Sequence, residues 1–316
     1  MTVFEAAEFL RTHDNYLILT HTRPDGDTVG CAAGLCRALR GIGKTAHILP
    51  NPEVSTLFVP YLEGLTCEEG YAPDTVVCVD LAAPTMFPVN AGELARRVDL
   101  TIDHHGSQTF YAANTVLDAS CAACGEIIFE IVKLLGPVTA EIAAPLYVAV
   151  STDCGGFIYG NTTANTHRVA AELIDCGIDL AALNKLHFRT KSFTRMKLES
   201  AILSGMELYE EGAIAVASIP LSLMTSLGAT KADIEDIAAL VGAVEGVKVS
   251  ATLRELEEGG CKISLRTDPN FLNASTTCAL LGGGGHPAAS GATTQLSLED
   301  TKRAILDAIR QVKYGN

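Results

Sequence analysis

The sequence predicts an α/β protein of two domains: an N-terminal, mostly parallel sheet with helices on both faces, and a smaller C-terminal α/β domain. Three observations carry this expectation. Short apolar runs of strand character alternate, through the first half, with longer segments that are apolar at helical spacing. A length of 316 residues is long for one core and comfortable for two. A basic stretch over residues 181–210 then changes the texture before a second set of strands and helices begins.

Residues 16–20 (YLILT) read as a buried strand, and residues 28–39 carry apolar side chains at helical spacing. Residues 45–49, 75–79 and 98–102 read as further strands. Ser120 can cap a helix running to Leu135, which Gly136-Pro137 ends. The apolar run 139–151 is too short to span a membrane and reads as a buried helix. Lys185, His187, Arg189, Lys191, Arg195 and Lys197 make the next stretch the most basic, with helical periodicity over 192–208. Its basic face is expected to be solvated rather than a nucleic-acid track. Beyond it come strands at 213–218, 247–253 and 262–265, a helix, a glycine loop, a strand and a last helix. Ser297 and Asp300 open that last helix as a variant capping box. The expected division is residues 1–187, a connector over 188–210, and residues 211–316.

The chain is 48% apolar and 19% charged, the balance of a packed globular protein. A formal charge of −14 argues against a basic stripe for long nucleic acid, but leaves room for a small phosphorylated substrate. Ten cysteines lie mostly inside apolar stretches, as buried reduced thiols do. Cys121 and Cys124 form a C-x-x-C, but no second pair has zinc-ligand spacing. The N-terminus lacks the basic and apolar regions of a signal peptide, and no run is long enough for a membrane span. A soluble, cytoplasmic protein is the expectation.

Four separate stretches carry the chemistry. His21, Asp25 and Asp27 follow the 16–20 strand across a turn made tight by Pro24 and Gly26. Asp80 ends the 75–79 strand, Asp103-His104-His105 follows 98–102, and Asp153 ends the run 139–151. Three of them alone have a plain structural reading, which is harder to sustain for Asp103-His104-His105. Asp27 can cap the next helix, Asp80 can cap a segment, and Gly155-Gly156 can simply end a helix. Together, carboxylates and histidines without neighbouring lysines or arginines repel one another unless cations hold them. That points to a two-metal hydrolase, in which paired divalent ions acidify a water and neutralise the phosphate under attack.

His21-x-x-x-Asp25-x-Asp27, Asp80, Asp103-His104-His105 and Asp153 resemble the four motifs of the DHH phosphoesterase superfamily. Lys262-Ile-Ser-Leu-Arg266 and Gly282-Gly-Gly-Gly-His286-Pro-Ala-Ala-Ser-Gly291 resemble its DHHA1 substrate-binding domain. The arrangement is similar to the NrnA-like branch of bifunctional oligoribonucleases and 3′-phosphoadenosine-5′-phosphate (pAp) phosphatases. Asp80-Leu-Ala-Ala departs from the more usual polar residues after that aspartate. The resemblance implies that His21 and Asp25 bind one metal, that Asp80 bridges both, and that Asp27, His104 and Asp153 complete the second. It implies that His105 faces the scissile phosphate and that Asp103 orients a histidine from behind. The donor set suits manganese and also admits magnesium, cobalt or iron; the family favours manganese. Relatives often form dimers, so a homodimer is open to this chain.

In the second domain Arg266 offers a planar fork for phosphate, with Arg254 a further candidate. Gly283, Gly284 and Gly285 let backbone close on a nucleotide, and His286 can contact phosphate or stack on a base. The plain alternative is an exposed arginine and a flexible turn. The resulting expectation is a manganese-dependent enzyme whose two domains clamp a short oligonucleotide, a dinucleotide or pAp. Other readings are a cyclic di-AMP or pApA phosphodiesterase, a pyrophosphatase or exopolyphosphatase, and a nucleotide sensor without catalysis.

Overall fold

The computed structural model describes residues 1–230, 232–234 and 237–315, which divide along the chain into two compact units between Thr190 and Lys191. In the first unit the elements are α1 (Val3–Thr12), β1 (Tyr16–Leu19), α2 (Gly26–Gly41), β2 (Ala46–Ile48), α3 (Val59–Leu62) and β3 (Thr75–Val79). They continue with β4 (Leu100–Asp103), β5 (Asn114–Leu117), α4 (Cys124–Leu135), α5 (Ala140–Asp153), α6 (Ala164–Asp175) and α7 (Leu180–Asn184). All pairings in the five-stranded sheet are parallel, in the order β2-β1-β3-β4-β5. Such an order reverses direction between β1 and β3, and ligands of open α/β sheets gather beyond the strand ends at that point.

Alternation along the central strands sorts their side chains onto two cores. Tyr16, Ile18, Val77 and Val79 pack with α1, α2, α4 and α5. Leu17, Leu19, Val76 and Cys78 face the other way, where Met86, Phe87 and Leu94 from two short 3-10 segments cover them. Both faces are therefore buried, which explains why these strands are apolar throughout.

α2 and α5 approach unusually closely. A Cβ on Gly26 would lie 2.2 Å from Thr152 Oγ1, and one on Gly30 would lie 2.2 Å from the Pro145 carbonyl oxygen. On Gly34 it would meet Leu146 at 2.6 Å. Glycine at every fourth position gives α2 one smooth face, and α5 lies along it.

Two local expectations differ from what is found. The helix expected from Ser120 starts instead at Cys124, because the Ser120 amide and hydroxyl both bond to Asp118 in a preceding turn. Strand β5 was not expected; it is a short edge strand whose residues are mostly half-exposed, so it has no clear apolar signature.

The second unit comprises α8 (Phe193–Ser204), β6 (Glu207–Tyr209), β7 (Ile214–Ile219), α9 (Leu221–Leu227), α10 (Ile237–Gly242) and β8 (Val249–Glu255). It ends with β9 (Cys261–Thr267), α11 (Ala274–Ala279), β10 (Gly284–Gly285), β11 (Ala289–Thr294) and α12 (Leu298–Tyr314). Its sheet order is β10-β11-β9-β8-β7-β6, with only β7 and β8 parallel. α12 and α11 cover one face, where Ile305 and Ile309 meet Ile263 and Leu265. α8, placed by the sequence in a connector, buries Leu198 and Ile202 against Ala215, Ala217 and Val241 and so belongs to this unit's core. Its exposed basic face hid that apolar stripe.

Candidate metal centre

Three strand ends and two helix ends converge on one cluster. β1 runs out into His21, which is buried, and the chain turns through Arg23 in a left-handed conformation (φ 48°) to Asp25. Asp25 caps α2: its Oδ1 accepts from the Asp27 amide at 3.0 Å and the Thr28 amide at 3.2 Å. Asp27, the residue expected as a possible cap for α2, does something else. Buried in the first turn, it accepts the Cys124 amide on Oδ2 (2.7 Å) and the Gly125 amide on Oδ1 (2.9 Å). It thus caps α4 from 97 positions away in sequence.

Asp80 follows β3 with its backbone in the left-handed region (φ 55°), while its amide still bonds the Ile102 carbonyl at 2.9 Å. A non-glycine residue there is strained by roughly 1–3 kcal/mol, a cost met mostly at functional positions. The carboxylate is buried. Its Oδ2 lies 3.6 Å from His21 Nε2, and its Oδ1 lies 3.5 Å from both His104 Nε2 and His105 Nδ1. Oδ1 has no hydrogen-bond partner among the described residues.

The Asp103-His104-His105 triplet divides its work. Asp103 is wholly buried at the end of β4, and its Oδ1 accepts from the His104 amide (2.8 Å), the His105 amide (3.2 Å) and His105 Nδ1 (2.8 Å). Its Oδ2 accepts from Gln108 Nε2 at 2.6 Å. Asp103 Oδ1 thus holds both the backbone and the ring of His105 and fixes how that ring is turned. His104 leans Nδ1 on the Cys121 carbonyl (3.2 Å), which turns Nε2 toward Asp80 Oδ1, Asp153 Oδ2 (3.6 Å) and Asp27 Oδ2 (3.8 Å). His21 is held likewise: Nδ1 bonds the Thr22 carbonyl at 2.7 Å, and Nε2 faces Asp25 Oδ1 at 3.5 Å. A ring nitrogen fixed on a carbonyl, with the other aimed at carboxylates, is the usual posture of a metal-binding histidine. Asp153 is the last residue of α5; Gly155 and Gly156, both left-handed, turn the chain away after it.

Donor atoms of His21, Asp25 and Asp80 lie within 4.8 Å of one another, as do those of Asp27, His104 and Asp153, and of Asp80, His104 and His105. Electrostatics shows what the cluster lacks. Burial, then Asp80 and Asp153, push the Asp27 carboxyl well above its usual range. Burial also raises Asp80, and with Asp80's charge it raises Asp153 to about 6. Burial opposes charge on His21, yet Asp25 and Asp80 outweigh it and lift the ring to about 10. His105 is raised to about 9, first by its bond to Asp103. Without cations, protons must hold these groups together; divalent ions are the natural replacement. The orphaned Asp80 oxygen and the mixed imidazole and carboxylate donors fit such ions.

In the second unit Arg266 is exposed near the end of β9, between Ser250 of β8 and Ala289 of β11. It lines a recess of about 250 Å³ together with Gly242, Lys248, Ser250, Thr267 and Asp268. Gly284 and Gly285 pair with Gly291 and Ser290 in a hairpin, and His286, exposed, closes its turn with Ala289. Gly283 is required sterically, since a Cβ there would lie 2.1 Å from the Gly291 carbonyl oxygen. Arg254 does not join them. It sits four residues beyond Ser250 on β8, about 13 Å along the strand.

Sequence reasoning passed over several residues. Gln108 is buried behind Asp103, and a buried amide five positions after an aspartate has no motif to announce it. The Cys121 carbonyl and the start of α4 also escaped, because their roles depend on long-range packing. The four-residue glycine spacing of α2 was a readable signal for its close contact with α5.

Fold and cluster together define a phosphoesterase of the DHH type. Residues 15–150 match the DHH family, N-terminal domain, and residues 211–314 match the DHHA1 domain; the chain belongs to this family. A bifunctional oligoribonuclease and PAP phosphatase NrnA of Thermus thermophilus is 36% identical, covering 93% of this chain and 89% of that protein. The Bacillus subtilis protein of the same description is 26% identical over 95% of this chain and 96% of its own length. Among solved structures, an exopolyphosphatase-related protein from Bacteroides fragilis superposes with a TM-score of 0.87 at 24% identity, covering 98% of this chain and 96% of that one, a likeness of fold. Among the described residues no helix is long and apolar enough to cross a membrane.

Proposed function

We propose that this chain is a manganese-dependent phosphodiesterase and phosphomonoesterase that cleaves very short oligonucleotides to nucleoside monophosphates and removes the 3′-phosphate of pAp. The observation that carries the reading is the pair of adjacent histidine–aspartate groups flanking the buried, unpartnered oxygen of Asp80. The substrates follow from the relatives, which are described as bifunctional oligoribonucleases and PAP phosphatases.

In this reading His21 and Asp25 hold one ion, Asp27, His104 and Asp153 hold the other, and Asp80 serves both. Bound divalent cations supply neutralisation of the phosphate oxygens and acidification of the attacking water. His105 does the rest of the near-phosphate work. Its Nδ1 is tied to Asp103, so Nε2 is the nitrogen that meets substrate, and the bond to Asp103 favours the charged ring. There it stabilises the phosphate or protonates the departing sugar oxygen. Arg266, the 283–285 glycines and His286 are assigned to substrate recognition, with Arg254 a weaker candidate because it stands apart. The charge of −14 disfavours long polyanions and leaves short nucleotides as the suitable class. Ten free cysteines suit a reducing compartment, and we place the enzyme in the cytoplasm.

The test is a manganese-supplemented assay of pAp, a ribodinucleotide, pApA, cyclic di-AMP, pyrophosphate and a 20-nucleotide RNA. Turnover of pAp and the dinucleotide, with the long RNA spared, is expected. Phosphate release from pyrophosphate alone, or no turnover at all, would refute the proposal.

A further inference from the structure

We infer that Cys31 is a positioning residue for the metal centre, its thiol hydrogen-bonded to Asp27 so that one oxygen of that carboxylate is presented to the ion. The inference rests on the reading of Asp27 as a metal ligand. Cys31 is fully buried one helical turn after Asp27, and its Sγ donates to Asp27 Oδ1 at 3.2 Å. The same oxygen accepts the Gly125 amide, whereas Oδ2 accepts the Cys124 amide and lies toward His104. Three donors therefore pin the carboxylate. Two of them occupy Oδ1, so Oδ2 is the oxygen turned toward the cluster.

The neighbouring thiol does a different job. Cys124 is equally buried, but its Sγ donates to the Ile102 carbonyl at 3.2 Å and so ties α4 to β4. Only Cys31 spends its hydrogen on the ligand. Both amides come from one helix end and restrain the carboxylate from one side. The thiol comes from α2 itself and opposes rotation about the Asp27 side chain. Outer donors of this kind typically change metal affinity 10- to 100-fold when removed.

The chelator-treated full-length chain is titrated with manganese chloride by calorimetry, alongside C31A, C31S, C36A and D27N. C31A is expected to bind one of two manganese ions about tenfold more weakly, with the other unchanged. C31S keeps a donor at that position and should stay within about twofold of the unsubstituted chain. C36A removes an equally buried thiol of α2 that bonds the Ala46 carbonyl and should also bind normally. Unchanged binding by C31A overturns the inference, and so does equal weakening by C31S or C36A, which would point to packing alone. If C31A does not fold, C31S decides: normal binding supports the thiol's role as donor, and weakened binding overturns it. D27N reports on the underlying reading. Normal binding by D27N removes Asp27 from the ligand set, whatever the cysteine variants do.

Discussion

Asp80 shows how one residue can be costly to the folded chain and still belong there. It is strained, buried and lacks a partner for Oδ1, beside carboxylates that share its charge. Replacing it with asparagine removes the repulsion. Asp80→Asn should therefore unfold at a higher temperature than the original chain when both are metal-free, as scanning calorimetry would read. On the proposed role it should also lose roughly a thousandfold in turnover, since several kcal/mol of cation-mediated stabilisation would go with that carboxylate. A variant that kept its activity would remove Asp80 from the centre. The aspartate itself was readable, since a polar residue ending an apolar strand is conspicuous. Its left-handed backbone and its unpartnered oxygen were not, because both arise from the neighbours that surround it.

At the scale of elements, the α2–α5 contact sets the spacing of the site, for Asp27 lies in the first turn of one helix and Asp153 ends the other. Gly30→Ala would drive a Cβ to within 2.2 Å of the Pro145 carbonyl oxygen. We expect a loss of about 1–3 kcal/mol in urea unfolding, together with weaker manganese binding. Gly41→Ala, on the same helix with no atom within 4 Å, should cost nothing and tests whether the effect is steric. The helices were legible from their periodicity. The start of α4 was misjudged because Ser120 serves a turn with Asp118, and the cap is provided by Asp27 from a distant segment. No window along the chain contains that pairing.

For the molecule as a whole, the candidate metal ligands and the residues proposed to recognise substrate fall in separate compact units, so on that proposal they should respond separately to substitution. Manganese at about 100 times its dissociation constant should stabilise the first unit by about 2.7 kcal/mol, measured as a rise in its unfolding temperature. Arg266→Ala should preserve that rise while increasing KM for pAp. A variant that lost the manganese response would show that Arg266 supports the fold rather than the substrate. The two-unit division was visible in the change of texture near residue 190, but the membership of α8 was not. Its apolar stripe lies under the basic face that suggested a connector.

Period and composition were enough to read most strands and helices and the candidate ligands at their ends, though not β5 or the start of α4. The features that were read are local: an apolar run and a polar residue at its end. The parallel order β2-β1-β3-β4-β5, the crossing of α2 and α5, and the capping of α4 by Asp27 brought the candidate ligands into three overlapping groups whose donor atoms lie within 4.8 Å of one another. Those distances depend on packing between segments far apart in the chain. Charge repulsion and desolvation act only once the segments meet, so the crowding of carboxylates that the sequence suggested takes its strength from the fold.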